Sequence, residues 1–198
     1  MNINILLSAA SILCAGLLSG CASSYHNGKL SDISSFPTVE QKKSIYVDLA
    51  FSGRVNGEPW PRTDANNRAF LENALIQNLK ESGMFSRISN RESDADLQLL
   101  VAVINDKEKD SSNATLSALT LFLYPNTETD TFRLLASVKD SATGKTQRIQ
   151  LQDGVIRRQQ LLLGLLAPFK PHGLELEKST DRLMNNLILE MHKTGLVK

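Results

Sequence analysis

Few side chains in this chain are spaced for catalysis. Thr143-Gly144-Lys145-Thr146 looks like the end of a phosphate-binding loop, which presents backbone N–H groups and a lysine to a nucleotide. That chemistry needs another glycine five residues before Gly144, where Lys139 stands, and a helix after the loop. Here a strand pattern follows, so the segment reads as a hairpin turn. The histidines are His26, His172 and His192, and no pair has the i, i+4 spacing of a helical metal site. No serine sits in a Gly-x-Ser-x-Gly elbow. Asp94 and Asp96 resemble an acid pair, but they flank the apolar run that starts at Leu97 and read as the polar start of a strand. Nothing points to a catalytic centre, a metal site or a cofactor, and the expectation is a protein that is not an enzyme.

The thiols are more informative. Residues 3–19 carry no charge, and the dense apolar part runs from Ile5 to Leu18. That is shorter than the about 20 residues needed to cross a bilayer core. It fits the apolar region of a secretory leader followed by small residues at a cleavage site. Leu18-Ser19-Gly20-Cys21 closes the run. It resembles the lipobox of bacterial lipoproteins: an aliphatic residue, small residues, then a cysteine. The positive charge usual before the apolar region is missing, since Met1-Asn2 has neither Lys nor Arg.

The resemblance implies that the peptide bond between Gly20 and Cys21 is cut. It also implies that Cys21 carries diacylglycerol through a thioether and a further acyl chain such as palmitate on its nitrogen. One acyl chain anchors only marginally, at about 0.8 kcal/mol per buried methylene, and two or more anchor stably. Ala22 takes the place where many inner-membrane lipoproteins have aspartate, so the resemblance favours the outer membrane, facing the periplasm. Cys14 would leave with the leader and Cys21 would be acylated, so no disulfide is expected in the mature chain. The membrane is then one partner, and an envelope protein or a second copy is the other expected.

Composition narrows the classes further. The 22 basic and 21 acidic residues give a formal charge of +1, and no basic tract stands out. Aromatic residues are few and scattered. Nucleic acid is therefore not an expected partner.

The elements follow from patterning. The domain organisation expected is a leader over 1–20, a flexible lipidated tether over 21–43 and a single domain over 44–198. The tether is rich in Ser, with Gly, Lys and Asn among its polar residues, and contains Pro37. Ile45, Val47, Leu49 and Phe51 alternate as a half-buried strand. A loop with Trp60 at its centre follows. Asp64 can cap a helix over about 65–82 whose stripe is Phe70, Leu71, Ala74, Leu75 and Leu79, ended by Gly83. Strands are expected over about 95–105, 131–139 and 145–152, with a hairpin turn at Gly144. Asp106 to Asp110, a mixed-charge run, reads as a solvated loop. A last helix over about 175–194 carries Leu176, Thr180, Leu183, Leu187 and Met191 on one stripe.

The fold class expected is α+β, in the order β-α-β-β-β-α. Two helices would lie on one face of an antiparallel or mixed sheet of about four strands. This order is distantly similar to the periplasmic domains of the curli-secretion and lipopolysaccharide-assembly lipoproteins.

Two apolar runs interrupt the order, Ala114 to Tyr124 and Leu161 to Phe169. Each reads either as buried core or as a contact surface. As helices they extend only ~16 and ~13 Å, too short for a ~30 Å hydrocarbon core. The contact residues expected are Leu119, Leu121, Phe122, Leu123, Leu162, Leu163, Leu165, Leu166 and Phe169. Antiparallel pairing of the strands between the runs would bring both to one edge of the domain. The function expected is that of a non-enzymatic lipid-anchored envelope protein, an accessory or assembly component of an outer-membrane complex. The alternatives are a module that binds lipid or another hydrophobic ligand in a groove formed by the two runs, and a cell-envelope hydrolase.

Overall fold

In β2, Lys43–Val55, alternation buries Ile45 and Leu49 while Asp48 and Ala50 face solvent. The computed structural model describes residues 22–60, 64–120, 123–160 and 172–197. β2 pairs in parallel with β5, Leu97–Lys109, from Ile45 opposite Leu97 to Val55 opposite Lys107. Parallel neighbours need a crossover. Helix α1, Asp64–Glu81, lies within it and buries Leu71, Leu75 and Leu79. Asp64 opens the helix, and its Oδ1 accepts the Gly53 N–H at 3.1 Å. On the other side of β2 lie the two-residue β3, Glu58–Pro59, and the short parallel β4, Phe85–Ser89.

After β5 comes helix α2, Ser111–Leu119, then the long hairpin of β6, Asn126–Asp140, and β7, Thr146–Gln159. The hairpin turns at Gly144, whose φ of 71° is open to glycine but strained for other residues. Helix α3, His172–Lys193, buries Leu183, Met184, Leu187, Ile188 and Met191 in the same core as α1. The last strand in the sheet is the first among the described residues. β1, Ala22–His26, pairs antiparallel with the far end of β7.

Two expectations are corrected. The sheet is mixed and seven-stranded, in the order β1-β7-β6-β5-β2-β3 with β4 beside β2. It carries three α-helices among the described residues, not about four strands in a plain β-α-β-β-β-α plan. The added strands have no apolar alternation of their own. β1 reads Ala-Ser-Ser-Tyr-His, and β3 and β4 are two and five residues long. Their pairing comes from neighbours, which supply a ladder for their backbone groups.

The segment 22–43, expected as a flexible spacer, instead runs along the domain. Ser23 and Ser24 are buried, Leu30 and Phe36 pack on the core, and Val39 is part of it. Asn186 Nδ2 donates to the Ser31 carbonyl at 2.9 Å. Polar composition had suggested a solvated coil, but the exposed edge of β7 offers backbone partners whatever the side chains.

Candidate functional site

The candidate site lies at the end of the sheet where β1 and β6 begin and β7 finishes. Ala22 stands opposite Gln159, and Gln159 stands opposite Asn126. Asn126 Nδ2 donates to Gln159 Oε1 at 3.0 Å, and Gln160 Nε2 reaches the Leu123 carbonyl at 3.4 Å. The junction after α2 and the exit from β7 therefore share one edge. The run Leu161 to Phe169 lies outside the described residues, as do Gly20, Cys21, Leu121 and Phe122. Of the expected contact residues, Leu119 and Leu123 are described.

Helix α2 forms because Asp110 caps it. The Asp110 carboxylate accepts from the Ser112 and Asn113 N–H groups at 3.0 and 3.2 Å. Those bonds, with the Ser112 hydroxyl foremost, hold its pKa below the usual carboxylate range. The helix ends at Thr120, whose hydroxyl donates to the Leu116 carbonyl and accepts the Tyr124 N–H. Only Ser117 is buried. Leu116 and Leu119, one turn apart, are exposed at 47% and 77%, and Leu123 and Tyr124 continue the exposed apolar group. The core reading of the described part of this run is thus replaced by an apolar surface.

The ends of β5, β6 and β7 at this edge are charged. Asp106 to Asp110, expected as a solvated loop, instead continues β5 as far as Lys109 and then caps α2. Lys107 pairs with Asp130 at 3.4 Å, Lys109 with Glu128 at 3.5 Å, and Arg157 with Glu128 at 3.7 Å. Arg133 pairs with Asp106 across the opposite face.

A second polar cluster pins the N-terminal arm. Asp153, in β7, is fully buried. His26 Nε2 lies 2.6 Å from its Oδ1, while Ser179 Oγ and Arg182 Nε donate to its Oδ2 at 2.8 and 3.1 Å. Arg182 Nη1 reaches Asp32 of the arm at 3.4 Å. Serine, histidine and aspartate meet here, but the carboxylate bridges the other two. A nucleophile would need the imidazole between serine and carboxylate. This cluster is a clasp. Nothing local in the sequence announced it, because Asp153 lies just past the strand expected over 145–152 and Ser179 and Arg182 sit on a helix distant in sequence.

Similar ties close the other end of the sheet. Asp140 accepts from Lys43 Nζ at 2.5 Å and from the Thr143 N–H at 2.8 Å. These partners, Lys43 first, draw its pKa down to about 2. Asp96 accepts from the Ser44 hydroxyl and N–H at 2.6 and 2.7 Å, which lowers its pKa and joins the starts of β2 and β5. His192 is also engaged, its Nδ1 lying 2.8 Å from the Val197 carbonyl.

A cleft of about 240 Å³ opens between the starts of α1 and α3. Its walls include Phe51, Trp60, Phe70 and Phe132, and Asn105, Lys107 and Asp130 also line it. Phe70, expected on the buried stripe of α1, is half exposed and belongs to this cleft. No helix among the described residues is long and apolar enough to cross a membrane. No group of three or more His, Cys, Asp or Glu side chains is placed among them to hold a metal ion.

The sequence matches no family model and no curated protein. Among solved structures the chain is similar to a Xanthomonas campestris protein assigned to the DUF330 family, at 11% identity and TM-score 0.47, over 86% of this chain and 94% of that one. It is similar to the PelC dodecamer of Paraburkholderia phytofirmans, at 13% identity and TM-score 0.36, over 84% of this chain and 96% of that one. It is similar to a DUF4136 family protein of Bacteroides thetaiotaomicron, at 11% identity and TM-score 0.31, over 84% of this chain and 93% of that one.

Proposed function

We propose that this chain is a lipid-anchored protein of the bacterial outer membrane, facing the periplasm. In this reading it works without catalysis, as an accessory or assembly component of an envelope complex. The observation that carries the reading is Leu18-Ser19-Gly20-Cys21 at the close of an uncharged apolar run. The exposed Leu116, Leu119, Leu123 and Tyr124 support a role in contact, since such a group is costly to leave in water. The Ser179, His26 and Asp153 arrangement supports a structural role for those residues over a hydrolytic one.

Expression of the full chain in a Gram-negative host with labelled palmitate tests the anchor. The expected result is label on the wild type and none on Cys21→Ser, with the wild type in the outer-membrane fraction. Crosslinking in those cells, followed by mass spectrometry, identifies the partner complex. Unlabelled wild type, soluble in the fractionation, would end the reading.

A second reading, binding of a small hydrophobic ligand, is favoured by the aromatic walls of the cleft at Trp60. Trp60 is the only tryptophan. Titration of the protein with a medium-chain fatty acid while following tryptophan emission checks it. A saturable shift supports this reading, and an unchanged spectrum removes it.

A further inference from the structure

We propose that Leu116, Leu119, Leu123 and Tyr124 rest in the lipid surface to which the chain is anchored, so that the domain is seated on the membrane by this end of its sheet. The inference rests on the proposed acylation of Cys21.

Cys21 is followed directly by Ala22, the first residue of β1, and consecutive Cα atoms are about 3.8 Å apart. A flexible spacer over 22–43 would have spanned roughly 25 Å and left the orientation of the domain open. With β1 in the sheet, the acyl chains leave the protein at the start of that strand. Ala22, Gln159 and Asn126 are neighbours across β1, β7 and β6. At about 4.8 Å per strand, Asn126 lies only about 10 Å from Ala22. Tyr124 and Leu123 immediately precede Asn126 and Pro125, and α2 lies just before them. An anchor at this point holds the exposed leucines within reach of the same leaflet.

The chemistry suits lipid. Leu116 and Leu119 share one side of α2, and their neighbour Ser117 turns inward. Two acids that flank the run are already engaged. Asp110 is consumed in capping α2, and Glu128 is held between Lys109 and Arg157. Seating the apolar group therefore leaves neither of these acids without a partner.

The test uses the full chain, produced with its leader in a Gram-negative host and reconstituted in phosphatidylethanolamine–phosphatidylglycerol vesicles. Leu119→Cys and Leu123→Cys each receive a polarity-sensitive fluorophore. Leu135→Cys is the control, because Leu135 is also exposed but lies midway along β6. The mass of the N-terminal peptide reports acylation of Cys21 in the same samples. With Cys21 acylated, positions 119 and 123 are expected to be blue-shifted and quenched by nitroxide lipids several-fold more than position 135. Equal, weak quenching at all three positions with Cys21 acylated overturns the seating and leaves the anchor intact. A blue shift at 119 without lipid quenching also overturns it, because protein then covers the patch. An unmodified Cys21 overturns the anchor itself and the seating with it.

Discussion

Residues 22–42 and the described part of residues 114–124 exchange the places their compositions assign them. The first stretch is rich in Ser, yet it forms a strand, buries Ser23 and Ser24 and is clasped to Asp153. The second is rich in Leu, yet Leu119 is 77% exposed and only Ser117 of its helix is buried. The difference teaches what burial follows in this fold. A polar segment goes inside when an open strand edge and a buried carboxylate supply partners for it. An apolar segment stays outside when the core is already filled by α1 and α3.

Substitutions can break this contrast. The largest effect is expected from Asp153→Ala, which strips the buried carboxylate from the Arg182 guanidinium and leaves it the exposed Asp32 at 3.4 Å. Such a loss costs about 3–5 kcal/mol, read as a lower urea midpoint and faster hydrogen exchange over 22–27. An unchanged midpoint would show that the arm is not clasped.

Gly28→Ala comes next. A Cβ there would stand 1.6 Å from Asp153 Oδ1 and 2.9 Å from His26 Nε2, so the bond between them must give way. About 1–3 kcal/mol is expected, and His26→Ala should remove much of the added cost in a double-mutant cycle.

A smaller effect concerns acid. The pKa of Asp140, about 2, lies below the usual unfolded value near 3.9. Protonation therefore favours the unfolded chain. The stabilisation is fully present above about pH 4 and is lost as pH falls toward 2. Asp140→Asn should lower stability at pH 7 by about 1–2 kcal/mol and flatten the acid limb between pH 4 and 2. An acid limb of wild-type steepness in the variant would assign it to other carboxylates.

The smallest effect on folding is expected from Leu119→Ser. Its stability should stay within about 0.5 kcal/mol of wild type, measured by thermal unfolding without lipid. A loss of 2 kcal/mol or more would return this leucine to the core and dissolve the contrast.

Sequence and structure agree where one periodicity dominates. Leu71, Leu75 and Leu79, and Leu183, Leu187 and Met191, announce α1 and α3 because burial on one face imposes a helical stripe. Leu97, Leu99, Val101 and Val103 announce β5 in the same way. Agreement fails where partners are distant. β1 exists because β7 has a free edge, and no window of residues around Ser23 contains that information. Strand length is also hidden, since Asp106 to Lys109 extend β5 by matching charges on β6, not by alternating apolar residues. The candidate site was half legible. Leu119 and Leu123 stood out by type, whereas their exposure depends on what α1 and α3 had already covered.

The pairing of β1 with β7 has a consequence for how the chain matures. His26 and Asp153 are 127 positions apart in sequence, and Lys43 reaches the Leu196 carbonyl across 153. Such distant contacts form late and slowly. During synthesis the arm emerges early, yet it has nothing to pair with until β7 and α3 have followed. Stitching the arm to the sheet is therefore a late step of folding, and a chain truncated before β7 should leave β1 without its partner strand.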